Sequence, residues 1–255
     1  MGLQDHYVAS IKGSLLTQIK EAQIVDISHL IKPWDLFQAS FVVRNCFLDF
    51  PKGTIHIIGV DTELIDDRMH ICALYKGHYF IGADNGIFSL IFESEPEKMV
   101  ELTLSPDSTT STFPTRDIFV KAASHISRGG TLEVIGTIRN TYKQVIIGIP
   151  ATDENTIMGK VIYIDNYGNV LCNITQNIFK NIAKGRGFEI LRGRDMYEFD
   201  RVHTSYHDVE QGEVLIIFNS LGYLEIAMNR GNAASLLLMK VGDQIRINFK
   251  KHGQK

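Results

Sequence analysis

Five short stretches of the chain carry more Gly, Asn and Asp than their apolar surroundings: Gly2 to Asp5, Val60 to Arg68, Asp84-Asn85-Gly86, Asp165 to Asn169 and Asn219 to Gly222. Carboxylates, carboxamides and open backbone at strand ends suit a small polar ligand, and α/β proteins place ligand contacts there. Each stretch alone is also a good turn former, because Asn and Asp bond their own backbone and Gly takes left-handed torsions. Spacing excludes other chemistries. Ser220 stands in no Gly-x-Ser-x-Gly elbow, and Gly82 to Gly86 lacks the Gly-Lys-Ser/Thr ending of a phosphate loop. Cys46, Cys72 and Cys172 are odd in number, far apart and never C-x-x-C, so they read as reduced thiols. His29 and His56 show no metal-ligand spacing, and no metal is expected.

These residues need elements to hold them. The 255 residues are 44% hydrophobic and 22% charged, enough apolar material for two modest domains. With 26 Lys+Arg against 29 Asp+Glu and no long basic run, nucleic acid is not an expected partner. No apolar run of about 18 residues and no basic-then-apolar leader appears, so no membrane is expected and the chain is placed in the cytoplasm.

Tyr7, Val8, Ile11, Leu15 and Ile19 predict one face of a helix over 7–19. Ile24 to Ile27 predicts a strand, and Pro33 opens a predicted helix through Trp34, Phe37, Phe41 and Leu48. Thr54 to Val60 reads as a buried strand, with Ile71 to Tyr75 and Tyr79 to Gly82 as two more around a Lys76-Gly77 turn. Ile118, Ala122 and Ile126 predict a helix that Gly129-Gly130 stops. This alternation predicts an N-terminal α/β domain with a largely parallel sheet over 1–149, followed by a polar linker at 150–156. Runs at Val145 to Ile149, Val161 to Ile164, Val214 to Phe218 and Ile245 to Phe249 announce a smaller antiparallel, barrel-like β domain. It spans 157–255, and a helix over Asn232 to Lys240 interrupts it.

Taken in order, the polar stretches resemble one family. They are Gly2-Leu3-Gln4-Asp5-His6-Tyr7-Val8 with Lys12-Gly13, Asp26-Ile27-Ser28-His29, Phe50 to His56 and Phe80 to Gly86. Arg116-Asp117-Ile118-Phe119, Ile164 to Asn169, Asn219-Ser220 and Glu225-Ile226-Ala227 complete the series. The order and spacing are similar to those of the S-adenosyl-L-methionine (SAM) hydrolases, or SAM hydroxide adenosyltransferases, relatives of the fluorinating and chlorinating enzymes. The resemblance covers nearly the whole chain. It implies a homotrimer that binds the nucleoside between one subunit's N-terminal domain and its neighbour's C-terminal domain, with no metal or cofactor. The reaction it implies is attack of water on C5′ of SAM, releasing adenosine and L-methionine. Methionine leaves as a neutral thioether, so the site must align a nucleophile and exclude bulk water rather than supply an acid.

The resemblance assigns Asp61 and Arg68, at the family's separation of seven residues, to orienting water. Thr62-Glu63-Leu64-Ile65 replaces the family's Pro-Gly-rich turn. Phe113-Pro114-Thr115-Arg116-Asp117 stands where the family shows Phe-His-Gly-Arg-Asp, so Pro114 and Thr115 occupy the place of a catalytic His. The resemblance further implies that Tyr167 and Tyr206 stack on the adenine with Asn169 at its edge. Asp5 and Ser220 would meet the methionine amino and carboxylate groups, and Asp165 and Asn219 would add substrate contacts. Trp34 would form a wall beside the ribose and sulfonium, where an aromatic face stabilises a cation. Plainer roles compete: Asp5 as a helix N-cap, Trp34 and Tyr206 as core residues, Tyr167 as a turn aromatic. The family's opening strand, ending Thr-Asp-Phe-Gly, has no counterpart here, from either a truncated start or a variant without it. Two outcomes stay open at this point: a SAM- or adenosine-binding protein without turnover, and, from the Thr115 hydroxyl, halide as nucleophile.

Overall fold

The computed structural model describes residues 1–65, 68–106, 112–146, 148–192, 195–199 and 201–250. The chain divides into two compact units, residues 1–147 and 148–255. The first contains α1 (Tyr7–Gln18), α2 (Leu36–Arg44), β1 (Ile55–Ile57), β2 (His70–Tyr75), β3 (His78–Ala83), α3 (Ile87–Ile91), β4 (Lys98–Leu102), α4 (Val120–Ser127), α5 (Leu132–Ile135) and β5 (Gly136–Ile138). A π-helical turn, Thr115–Phe119, leads into α4.

Among the described residues the first unit's sheet has the order β1-β3-β2-β4-β5. It is mixed, which corrects the expectation of a largely parallel sheet: only β1 and β3 run parallel, and the other pairs are antiparallel. Lys76 and Gly77, at φ 50° and 79°, form the two-residue left-handed turn that folds β2 back on β3. The strands are nevertheless apolar throughout because both faces are covered. Cys72, Ile81 and Val100 pack with Ile11, Leu15, Ile118, Ala122 and Leu132 on one side. Ile71, Ala73, Phe80 and Met99 pack with Ala39, Phe47 and Phe88 on the other.

Two further expectations are corrected in this unit. Ile24 to Ile27 forms no strand: among the described residues β1 pairs only with β3, so this extended segment has no ladder to join. Its Asp26 instead binds Lys12 Nζ at 2.6 Å and His29 Nε2 at 3.0 Å. The helix expected from Pro33 starts at Leu36, because the Asp35 carboxylate caps it by accepting from Gln38 N at 2.8 Å. Trp34 precedes that cap in left-handed backbone, φ 62°, and Leu48 lies in a separate 3-10 turn, Phe47–Asp49.

The second unit contains β6 (Ala151–Thr152), β7 (Thr156–Ile164), β8 (Val170–Thr175), α6 (Gln176–Ala183), β9 (Phe188–Arg192), β10 (Asp195–Phe199), β11 (Val214–Phe218), β12 (Tyr223–Met228), α7 (Ala233–Leu236) and β13 (Gln244–Phe249). Among the described residues its named strands all pair antiparallel, along the path β10-β9-β13-β7-β8-β12-β11 with β6 beside β7, and an isolated parallel bridge joins His203 to Ile217. Ile157, Cys172, Ile190, Ile226 and Ile247 enter one core, so the sheet curls into a half-barrel around it. Residues 150–156 hold β6 and the turn into β7. Val145, Ile146, Gly148 and Ile149 form no strand, and Ile147 lies outside the described residues. The helix expected over Asn232 to Lys240 is only α7, capped by Asn232 Oδ1 accepting from Ser235 N at 2.7 Å.

His56 on β1 and His78 on β3 are buried with their rings bonded, Nε2 to Nδ1, at 3.3 Å. His56 also stacks on Phe80, ring centres 4.8 Å apart. One ring must donate and the other accept, which neutral imidazoles allow and two imidazoliums forbid. Burial and, less, the facing His78 lower the His56 pKa to about 4. The His78 pKa is lowered by burial and Lys52, with Glu97 opposing. The unfolded chain binds protons below about pH 6.5 that the folded chain refuses, so stability is complete above that pH and falls as pH drops toward 4. The His56 share of that loss is about 3 kcal/mol. Urea midpoints between about pH 7 and 4.5 should show the decline, and His56→Phe should flatten it; an unchanged slope would refute the assignment.

Candidate functional site

The densest set of functional groups in the first unit lies just past β1. Asp61 Oδ1 accepts from Arg68 Nη1 at 2.7 Å, and each side chain remains about one-fifth exposed, at 22% and 20%. Asp61 is held at φ 49°, a left-handed conformation costly for a residue with a Cβ. Three bonds fix it there. Asn85 Nδ2 donates to the carbonyls of both Val60 and Asp61, each at 3.0 Å, and His70 Nε2 donates to the Thr62 carbonyl at 2.9 Å. Arg68 is anchored through its own N–H to the Ile65 carbonyl at 2.9 Å. Its Nε is buried with no hydrogen-bond partner among the described residues. Asp66 and Asp67 lie outside the described residues.

Thr115 faces this turn, its Oγ1 at 3.4 Å from Thr62 Oγ1, and Pro114 begins the π-helical turn beside it. A Cβ on Gly59 would collide with the Met1 side chain and crowd Thr115, so the start of the chain reaches the same place. Tyr7 meets Phe113 edge-on at 5.2 Å, which carries Gly2 to Asp5 along this side. Asp5 is exposed and does not cap α1, whose N-cap is His6. Trp34 is 76% exposed, which rules out the core role.

Asn85 and His70 are the residues that sequence reasoning missed. Asp84-Asn85-Gly86 was visible as a polar stretch, but its work is internal. Asp84 Oδ1 accepts from Lys143 N at 2.7 Å, and Gly86, at φ 103°, admits Val145 where a Cβ could not fit. His70 sits in a β-strand pattern that gave no signal. Burial lowers its pKa, which leaves a neutral ring donating through Nε2.

In the second unit, Asp165 Oδ1 accepts from the N–H groups of Tyr167 and Asn169, both at 2.9 Å, and its Oδ2 accepts from Asn169 Nδ2 at 2.9 Å. This closed turn needs Gly168, at φ 83°, because a Cβ there would collide with Asn232. Tyr167 projects from its tip, 77% exposed. Tyr206 starts a 3-10 turn framed by a Ser205–Asp208 capping box, and its Oη donates to Glu225 Oε1 at 2.7 Å. Burial, then Glu225 and Asp165, push the Tyr206 phenol well above its ordinary pKa. Tyr167 and Tyr206 make no ring contact with each other. Asn219 Nδ2 donates to Glu225 Oε2 at 3.0 Å, and its Oδ1 accepts from the N–H groups of Leu221 and Tyr223, so this carboxamide is committed to its hairpin. Ser220 is exposed at the hairpin tip.

Elsewhere, a hollow of about 340 Å³ beside α1 and α4 is lined by Gln18, Lys121, Ser124, His125, Arg128 and Gly130. Its polar side chains bond locally: Lys121 donates to the Ser105 carbonyl, His125 bonds the Thr131 carbonyl and Arg128 donates to Ser124 Oγ. Among the described residues no three His, Cys, Asp or Glu side chains gather as metal ligands, and no helix is long and apolar enough to cross a membrane. Burial pushes the Cys72 and Cys172 thiols up to about 12, which makes them inert core groups.

Comparison with known proteins matches this arrangement to one family. Residues 1–136 match the SAM hydroxide adenosyltransferase N-terminal domain and residues 159–246 its C-terminal domain. The chain is 27% identical to the (R)-S-adenosyl-L-methionine hydrolase of Thermus thermophilus, over 96% of each. It is also 27% identical to the (R)-S-adenosyl-L-methionine hydrolase of Methanocaldococcus jannaschii, over 97% of this chain and 93% of that one. The crystal structure of an uncharacterized conserved protein from Thermotoga maritima is similar at a TM-score of 0.88 and 30% identity, over 97% of both chains. With both halves matched and the polar turns in place, the chain belongs to the SAM hydroxide adenosyltransferase family.

Proposed function

We propose that this protein hydrolyses SAM, in the R configuration at sulfur, to adenosine and L-methionine. The carrying observation is the Asp61–Arg68 pair: two charged groups 2.7 Å apart, still reachable from solvent, on a turn held by Asn85 and His70. The names of the relatives supply the substrate and its configuration. Asp61 orients a water and takes its proton as the O–C5′ bond forms and the C5′–S bond breaks. Arg68 holds that carboxylate in one orientation. Methionine departs as a neutral thioether and needs no acid. Pro114 stands where the resemblance puts a His, with Thr115 after it, and a proline side chain takes no proton, so Asp61 is the remaining proton acceptor at the nucleophile.

The adenine lies against Tyr167 and Tyr206 with Asn169 at its edge; its Nδ2 serves Asp165 and its Oδ1 is left for the base. Asp5, Asp165 and Ser220 serve the methionine end, and Trp34 walls the sulfonium. The first unit of one subunit and the second unit of its neighbour supply these groups in a homotrimer. Trp34 at 76% and Tyr167 at 77% exposure are large apolar surfaces for a lone chain to leave open, which favours assembly and ligand covering them. Sedimentation velocity should show a trimer; a monomer at all accessible concentrations would remove the shared site.

Chromatography of the purified chain incubated with each SAM epimer should show adenosine and methionine from the R form. Asp61→Asn keeps the shape but loses the proton acceptor, so turnover should fall about 10² to 10³-fold with the fold intact; an unchanged rate would dismiss the assigned role. Asn85→Ala frees two half-buried carbonyls and should cost about 1 to 2 kcal/mol in denaturant unfolding. Its kcat should fall more than its KM rises, because it loosens Asp61 without touching substrate; a purely KM effect would contradict that.

A further inference from the structure

Among the described residues Glu225 is the one buried charged side chain of the second unit, and the proposed reaction leaves it without a task. It is 3% exposed, on β12, which lies between β8 and β11. Leu224 and Ile226 on either side of it enter the half-barrel core, so Glu225 points to the opposite face. There Leu215, Ile217 and Ala227 pack under Val209, in the segment that also carries Tyr206. The pairing of β12 with β8 shifts register between Tyr223 and Glu225, an irregularity of the kind that re-aims side chains beside functional sites.

A buried carboxylate is costly unless its oxygens are bonded. Here both are: Oε1 accepts from Tyr206 Oη at 2.7 Å and Oε2 from Asn219 Nδ2 at 3.0 Å. Both donors are neutral. Tyr206 comes from the 3-10 turn after residue 205 and Asn219 from the β11–β12 hairpin. One carboxylate therefore ties together two loops that approach from different directions.

We propose that Glu225 is a positioning residue of the adenosine cradle: its carboxylate anchors the tip of the Tyr206 ring and ties that ring to the Asn219–Gly222 hairpin that presents Ser220. This rests on the reading of Tyr206 as an adenine contact. The side chain acts through its two neighbours and touches no substrate. A stacking ring free to swing must be ordered when ligand arrives, and a ring already bonded at its hydroxyl is not. The bond restrains the swing about χ1 of a ring that is 38% exposed.

The test is calorimetry with adenosine on the full chain, together with thermal melting and ultraviolet titration of the tyrosines. Glu225→Ala should weaken adenosine binding by about tenfold, the scale of one net hydrogen bond. Tyr206→Phe, which keeps the ring and loses the hydroxyl, should weaken it similarly. The double variant should be little worse than either single one, because both cut the same tether. Glu225→Gln retains one acceptor oxygen and should recover part of the affinity. In that variant the Tyr206 phenol, identified by its absence in Tyr206→Phe, should titrate at lower pH, since a facing negative charge has gone. If Glu225→Ala fails to fold, the Gln variant and the titration still decide. A wild-type chain that binds adenosine, with Glu225 variants that bind equally well or losses that simply add, overturns the positioning role and leaves the hydrolase reading standing. A wild-type chain that binds neither adenosine nor SAM overturns both.

Discussion

A left-handed aspartate has to be held in place, and most of the first unit's site follows from how it is held. A non-glycine residue at φ 49° sits roughly 1 to 2 kcal/mol above its relaxed conformation. The Asn85 carboxamide offsets this by bonding two consecutive carbonyls, and His70 secures the next one. Asn85 is itself fixed, because its Oδ1 accepts from Ile87 N at the start of α3. The carboxylate of Asp61 is thus aimed by the backbone rather than by its rotamer, and Arg68 meets a group that is already in place. The residues that follow, Thr62-Glu63-Leu64-Ile65, include no glycine, and the turn is held by these side-chain bonds.

The second unit solves a different problem with similar chemistry. Among the described residues Asp165 and Glu225 bond neutral donors: Asp165 two backbone amides and a carboxamide, Glu225 a phenol and a carboxamide. Neutral donors satisfy the oxygens without cancelling the charge. The region keeps its negative charge, which would suit the ammonium group of the proposed substrate. Asp165 and Asn219 each serve first as turn makers. The turn-forming and ligand-binding readings of these polar stretches are therefore not alternatives, because the bonds that close the turn also orient Tyr167 and Asn169.

How much of this was legible in the sequence depended on what each pattern reports. The helix at Tyr7 was readable because Val8, Ile11 and Leu15 are buried at helical spacing. The hairpin was readable because Lys76-Gly77 has the chemistry of a left-handed turn. Strand direction was not, since an unbroken apolar run reports burial on both faces, common in parallel sheets, and β2 reaches the same state in an antiparallel hairpin between two helical layers. Ile24 to Ile27 had the composition of a strand, but a strand also needs a neighbour, and composition is silent on that. Asp61 and Arg68 were found through their separation in a family pattern. Asn85 and Glu225 stand in stretches the sequence marks, but their contacts, like those of His70, were out of reach because each acts across 8 to 25 residues, which no local pattern encodes.

The placement of charge also bears on why the proposed reaction would proceed. In the attack on C5′ the sulfonium loses its positive charge as the bond to sulfur breaks, while the attacking water gains positive character until its proton leaves. A carboxylate beside sulfur would therefore favour the bound substrate over the transition state, and one beside the water would do the reverse. Asp61 at the nucleophile is on the productive side of that division. Its bond to Arg68 moderates the effect, since the guanidinium draws on the charge that would stabilise the water. What the pair then contributes most is direction: a carboxylate oxygen held at one point, with a neighbour that keeps it there. Asp165 and Glu225, on this reasoning, act productively only toward the methionine ammonium and the fixed cradle, whose charges do not change along the reaction. The hydroxyl of Thr115 fits the same scheme, because it crowds the nucleophile's position without adding a charge that competes with Asp61.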